Sequence, residues 1–338
     1  MTEYQHLLNQ SREWLLEAAD PDPCYLAIRD LYAHSTSTED QAQAKLTAHK
    51  AGAIAQILEH MNPEGWWEKP GPGYGPKYRS TVWAMTLLAQ LGASLEMDSR
   101  LDTACAYVLD HAFARGGYFT SSGAPSGTFD CLQGNLTYAL LAIGCRDPRL
   151  QQAVDWMSRS QTGEGVAPVT DKKASVRYYN YKCGPDFRCA ANGGLPCAWG
   201  ATKVMMAFSQ VPAEWGTELV ERAIARGVEL FFSVDPVTAN WPCDHHINRD
   251  WWKFGFPLFY ITDLLQVADS LTALGYTTDA RMSSLIELIL HKQISPGRWA
   301  LEYAYKGKTW GSFGEIGKEN KWVTIRALRV LKRINDAG

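Results

Sequence analysis

The side chains best suited to chemistry form a scattered set. Cys131 stands alone, Cys183, Cys189 and Cys197 share one irregular stretch, and Cys243, His245 and His246 share another. Thiolates with an imidazole are the donors zinc prefers, commonly four in a tetrahedron. Three thiolates and one imidazole would close the shell and make the metal structural. Three protein ligands would instead leave a position for water and catalysis. The competing reading is ordinary buried thiols, since free cysteine is among the most buried residue types. Cys24, Cys105 and Cys145 are read that way, and Cys243 largely so.

Asp263 is a second candidate, set in the apolar run "FPLFYITDLLQVADSL" about ten residues from the start of the helix expected over 253–274. Burial would raise its pKa and keep it protonated, fit to serve as a general acid. The alternative is a brace between helices, bonded to Tyr260 or Arg326. Lys77, Arg79, Lys203, Lys321 and Arg326 form a third group near expected helix starts, where anions are already favoured. They suit a phosphate or carboxylate, or else are solvated rim charges. Gln133 and Asn135 could add neutral donors. Aromatic residues, among them Trp66, Trp67, Tyr74, Tyr78, Trp199, Trp241, Trp251, Trp252 and Trp322, could line an apolar pocket or simply pack turns.

The elements that must position these residues repeat. "NPEGWW", "ARGGYF", "TGEGVA", "TANWPC" and "SPGRWA" each close an amphipathic helix, and an irregular loop then leads to a more apolar helix. The first set is expected over 47–61, 99–113, 148–161, 217–234 and 280–293, the second over 77–92, 131–145, 196–210, 253–274 and 318–334. An earlier pair is expected near 3–18 and 23–34. Glycine closes many of these helices, and aspartate or proline opens the next. One-sided helices suit an outer ring and helices apolar all round suit an inner one. The expectation is therefore an all-α chain: one α/α toroid of five to six hairpins over 47–338, with 1–46 packed on it. Loops leading into the inner helices would share one mouth. "PGPGYGPKYRS" would aim Lys77, Tyr78 and Arg79 there.

Composition narrows the function classes. A net charge of −3 with dispersed signs lacks the basic footprint of a nucleic-acid binder. No apolar run is long enough to span a membrane, and the first residues do not read as a signal peptide. A cytoplasmic protein is expected, in which eight cysteines are thiols or metal ligands rather than disulfides.

The Gly-aromatic turns resemble those of the terpenoid cyclase and protein prenyltransferase superfamily of α/α toroids. "WWEKPGPGYGPKYRSTVW", "CLQGN", "KFGFPLFYITDLL" and "KWVTIRALRVLKR" resemble more closely a bacterial, largely uncharacterised group within it, over about residues 50–334. The resemblance implies zinc at the mouth, carried onto Cys131, Cys189, Cys197 and His246, with Cys183 and His245 as substitutes. The His that usually follows the second loop cysteine is Ala198 here. Neither the Asp-x-Asp-Asp acid of class II cyclases nor the metal motifs of class I enzymes occurs. Three functions follow as expectations. The first is an enzyme acting on an isoprenoid-like or other apolar substrate with an anionic head, with Asp263 or zinc supplying chemistry. Its binding residues would be Lys77, Tyr78, Arg79, Trp67, Asn135, Lys321 and Trp322. The second is a zinc enzyme that activates a thiol. The third is a non-catalytic carrier of apolar ligands with structural zinc.

Overall fold

The computed structural model describes residues 4–338 apart from 169, 172, 174–176, 179–181, 245 and 246. The chain is all-α. Helices α1 (Gln5–Leu15) and α2 (Pro21–Ala27) precede α3 (Thr38–Ala51) and α4 (Ala53–Glu59). Then come α5 (Thr81–Gln90), α6 (Arg100–His111), α7 (Asp130–Ile143), α8 (Pro148–Thr162) and α9 (Ala198–Phe208). The remainder holds α10 (Glu218–Phe232), α11 (Leu264–Ala273), α12 (Ser283–His291) and α13 (Lys321–Ala337). Among the described residues the strands are two or three residues long and pair locally in the loops.

Apolar periodicity decides which helices are inner. Every residue of α5 from Thr81 to Ala89 is buried, as is every residue of α11 from Leu264 to Thr272. In α6, by contrast, Leu101, Ala104, Cys105, Tyr107, Val108 and Leu109 are buried while Asp102, Thr103, Ala106 and Asp110 are exposed, the one-sided pattern of a surface helix. Successive inner helices pack together, α5 on α7, α7 on α9, α9 on α11 and α11 on α13. The α7–α9 approach is so close that a Cβ on Gly134 would lie 2.2 Å from the Lys203 carbonyl carbon. Gln90 at the end of α5 ties that helix to the strap before α11. Its Nε2 donates to the Leu258 carbonyl (2.6 Å) and its Oε1 accepts from the Leu258 N–H (2.7 Å).

The Gly-aromatic turns are clamps. The Trp67 indole N–H donates to the Ile57 carbonyl at the end of α4 (2.8 Å), while its backbone N–H donates to Thr81 Oγ1 at the start of α5 (3.2 Å). Trp299 repeats both bonds, to the Ile289 carbonyl of α12 (2.6 Å) and to Thr324 Oγ1 of α13 (3.1 Å). Trp241 repeats the first, to the Leu230 carbonyl of α10 (2.8 Å). Phe119 repeats the second, donating to Gln133 Oε1 of α7 (2.9 Å). The Trp67 and Trp299 clamps each satisfy an end carbonyl of the helix behind and tie the turn to the helix ahead, whereas Trp241 makes only the first bond and Phe119 only the second. Trp67 is fully buried in this role and lines no pocket described here.

One expectation about elements needs correction. The inner helix expected over 253–274 begins only at Leu264. Pro257 disfavours helical backbone before it, and the Asp263 carboxylate caps the helix by accepting from the Gln266 N–H (2.7 Å). Residue 46, the expected division between the N-terminal segment and the rest, lies within α3, whose neighbours include α2 and α4.

Candidate functional site

Cys131 lies in the first turn of α7, and Cys197 is the residue immediately before α9. Cys189 reaches the same place on a short ladder, where Arg188 pairs with Pro196 and Cys189 with Leu195. A one-turn 3-10 helix, Ala190–Asn192, makes the bend between the ladder's strands. Helix starts and a tight hairpin thus bring together thiols up to 66 positions apart.

These thiols separate two chambers. On one side is a cavity of about 350 Å³ bordered by Tyr74, Lys77, Phe129, Asp130, Lys182 and Tyr260 as well as the three cysteines. On the other is a cavity of about 300 Å³ walled by Trp199, Trp241, Trp251, Cys243 and Ile247, again with the three cysteines and Tyr260. The first chamber is cationic and aromatic: Lys77 Nζ stands 5.7 Å from the Tyr74 ring and 5.2 Å from that of Tyr260. Lys182 Nζ stands 5.6 Å from the Phe129 ring. In the second, Trp241 and Trp251 meet edge to face at 5.5 Å, and their N–H groups are already used by the Leu230 and Pro236 carbonyls. What they present is ring surface.

The thiols are electrostatically unequal. Cys197 donates a hydrogen bond to Cys189, which pulls Cys189 down to about 6, against the opposing effect of burial and helped by the N–H groups of Ala191 and Asn192. The same bond and burial push Cys197 well up. Burial, aided by the neighbouring Cys189, pushes Cys131 up to about 12. The pair therefore shares one proton, with the negative charge on Cys189. Burial also pushes the Asp130 carboxyl well up; its Oδ1 accepts from Gln161 Nε2 (2.8 Å), and its buried Oδ2 has no partner among the described residues. Below the thiols Lys203 is wholly buried, donates to Gln266 Oε1 (2.6 Å), and is pulled by burial down to about 7.

Other expected site residues are engaged elsewhere. Asp263, 2% exposed, accepts from the Gly255 N–H (3.0 Å) and is gripped by Arg326, whose Nη1 and Nη2 lie 2.9 and 2.6 Å from its two oxygens. With the α11 cap, those bonds engage both oxygens, so the carboxylate is a brace between α11 and α13. Lys321 is bound by Glu17 (2.7 Å) and Asp20 (2.6 Å) of the N-terminal segment. Trp322 stacks on Phe256 at 4.6 Å. Arg79 pairs with Glu68 (2.8 Å) and lies 4.1 Å over Trp310. Asn135 donates to the Phe259 carbonyl (3.2 Å). Tyr78, at φ +72°, packs among Trp83, Phe259 and Tyr305. Of the expected substrate-binding residues, Lys77 borders the thiol chamber.

Cys183 is fully buried and borders neither chamber, whereas exposed Cys243 borders the second. His245 and His246 lie outside the described residues, between Asp244, whose N–H donates to Asn192 Oδ1 (3.1 Å), and Ile247. Among the described residues no three His, Cys, Asp or Glu side chains stand close enough together to hold a metal ion. Sequence reasoning passed over Asp130 and Lys182. The signal for each was adjacency to a cysteine, in "FDCLQ" and "YKCG".

No known protein family and no curated protein matches the chain. Among the described residues no helix is long and apolar enough to cross a membrane.

Proposed function

We propose that the chain is a single α/α toroid and an enzyme acting on a substrate with an apolar, isoprenoid-like body and an anionic head. The observation that carries this reading is the pair of chambers on either side of Cys131, Cys189 and Cys197. Lys77 and Lys182 suit the head, and the Trp199, Trp241 and Trp251 rings suit the body. The ring arrangement is supported by the serial packing of α5, α7, α9, α11 and α13 and by a cavity that all five border. Cys131, Cys189 and Cys197 would hold zinc, with His246 as the fourth donor, once the ion draws together thiols that stand too far apart here to hold it. The donor chemistry fits, because Cys189 is already favoured as a thiolate, the form a metal binds. Zinc would supply Lewis acidity or a lowered thiol pKa at the boundary between head and body. Asp263 has no part in this chemistry, because both its oxygens are engaged.

Cys189 supports a second reading, that of a zinc enzyme activating a thiol. Its bond from Cys197 and the two backbone N–H groups pre-form a nucleophilic sulfur. Titration of the protein with a prenyl diphosphate, followed by tryptophan fluorescence, tests the main reading. Saturable quenching that weakens in Lys77→Met supports it. No saturable binding, or binding indifferent to Lys77, removes it.

A further inference from the structure

The same inner helices border a second polar cavity, of about 330 Å³, at their other ends. It touches Ala142 where the thiol chambers touch Cys131, roughly 16 Å away along α7 at the helical rise. Its charged wall is a chain of ion pairs. Asp30 accepts from Arg29 Nε (2.6 Å) and Nη2 (3.1 Å) and from Arg329 Nη1 (3.0 Å). Asp269 accepts from Arg329 Nε (3.0 Å) and Nη2 and from Arg333 Nη1 (2.7 Å).

Three guanidiniums thus share two carboxylates, and one positive charge is left over. Last-turn carbonyls of the surrounding helices attract part of it, and Arg333 Nη1 also reaches the Asp269 carbonyl (3.1 Å). Those are partial charges, and they leave donors over. Arg333 Nε and Nη2 have no acceptor among the described residues, and the Tyr138 hydroxyl on the cavity wall makes no hydrogen bond to them. Arg29 and Arg333 keep 41% and 33% of their side-chain surface accessible, so the cavity's cations can reach a ligand.

We propose that this cavity binds a small oxyanion, a phosphate or a carboxylate, between Arg29, Arg333 and Tyr138. The site is independent of the thiol chambers. Arg329 is left out of the test because it holds both carboxylates. Isothermal titration of the full chain with inorganic phosphate, and separately with acetate, is run at constant ionic strength, so that screened surface attraction stays the same. Run in Lys77→Met, which weakens the head site of the thiol chamber, the titration is expected to show one saturable site per chain, and which anion saturates it identifies the ligand. Arg333→Met and Tyr138→Phe should each weaken it by about ten-fold, the size of one lost charge-assisted hydrogen bond. Cys197→Ser should leave it unchanged. Should Arg333→Met fail to fold, Tyr138→Phe decides alone, since it removes one oxygen and no charge. No saturable heat with either anion, or full affinity in the folded variants, overturns the proposal.

Discussion

Asp263 and Arg326 lie 63 positions apart and meet in a two-pronged ion pair, Nη2 to Oδ1 at 2.6 Å and Nη1 to Oδ2 at 2.9 Å. Both are almost wholly buried, 2% and 4% exposed. The Gly255 and Gln266 N–H groups bind the same carboxylate. Removing one partner leaves a buried charge unmatched, a loss of about 3–5 kcal/mol. Asp263→Asn should therefore unfold at markedly lower urea concentration than the wild type. Wild-type stability with abolished turnover would restore the acid role that burial alone had suggested.

Lys77 and Lys321 make a contrasting pair. Lys77 is exposed and stands over Tyr74 and Tyr260, so Lys77→Met should weaken an anionic ligand and leave the urea midpoint unchanged. Lys321, 8% exposed, holds Glu17 and Asp20, so Lys321→Met should lower the unfolding free energy by about 1–2 kcal/mol and leave ligand affinity intact. Ligand titration and denaturation on both variants separate the two. The reverse pattern would return Lys321 to the binding site.

Metal content is the direct check on the thiols. Protein purified without added zinc should carry about one zinc per chain by elemental analysis, the stoichiometry of a single tetrahedral site. Cys197→Ser should lose it and melt earlier, because a metal bound only to the folded state stabilises it. Full metal content in that variant would remove Cys197 from the ligand set.

After chelation, the pH profile of alkylation reads Cys189. Its pKa lies at about 6, below the ordinary thiol value, so the reactive thiolate forms as pH rises through 6. The rate at Cys189 should level off by pH 7, while that of a free model thiol in the same buffer goes on rising above pH 8. Cys197→Ala removes the donor and should move the Cys189 midpoint upward. Coincident profiles for Cys189 and the model thiol would refute the shared proton.

The clamps predict a stability cost without a binding cost. Trp299→Phe keeps a buried ring and strips the N–H from the Ile289 carbonyl, leaving an acceptor unsatisfied for about 1–3 kcal/mol. Trp67→Phe should behave alike through Ile57. Denaturation midpoints should fall and ligand affinity hold. An unchanged midpoint would make these indole bonds incidental.

By itself the sequence determined the helical alternation. Apolar spacing, a proline start and a glycine end act within a few residues, so α8 was legible over 148–161 and runs from Pro148 to Thr162. The Gly-aromatic turns were legible as a repeat for the same local reason, and the tertiary structure added what they hold: the Trp67 and Trp299 bonds reach both the helix behind and the helix ahead. Cys131, Cys183, Cys189 and Cys197 were legible as candidates, yet which of them would meet depended on where distant helix starts lie in space. The same is true of charge. A lysine at a helix start looks the same in sequence at Lys77 and at Lys321, and only the folded chain brings Glu17 and Asp20 to Lys321, about 300 positions away. Asp263 was legible as a buried acid, but its partner came from another helix, and with that partner it became a brace. Local order follows from neighbours along the chain. Which polar groups stay free for chemistry follows from contacts that only closure of the fold creates.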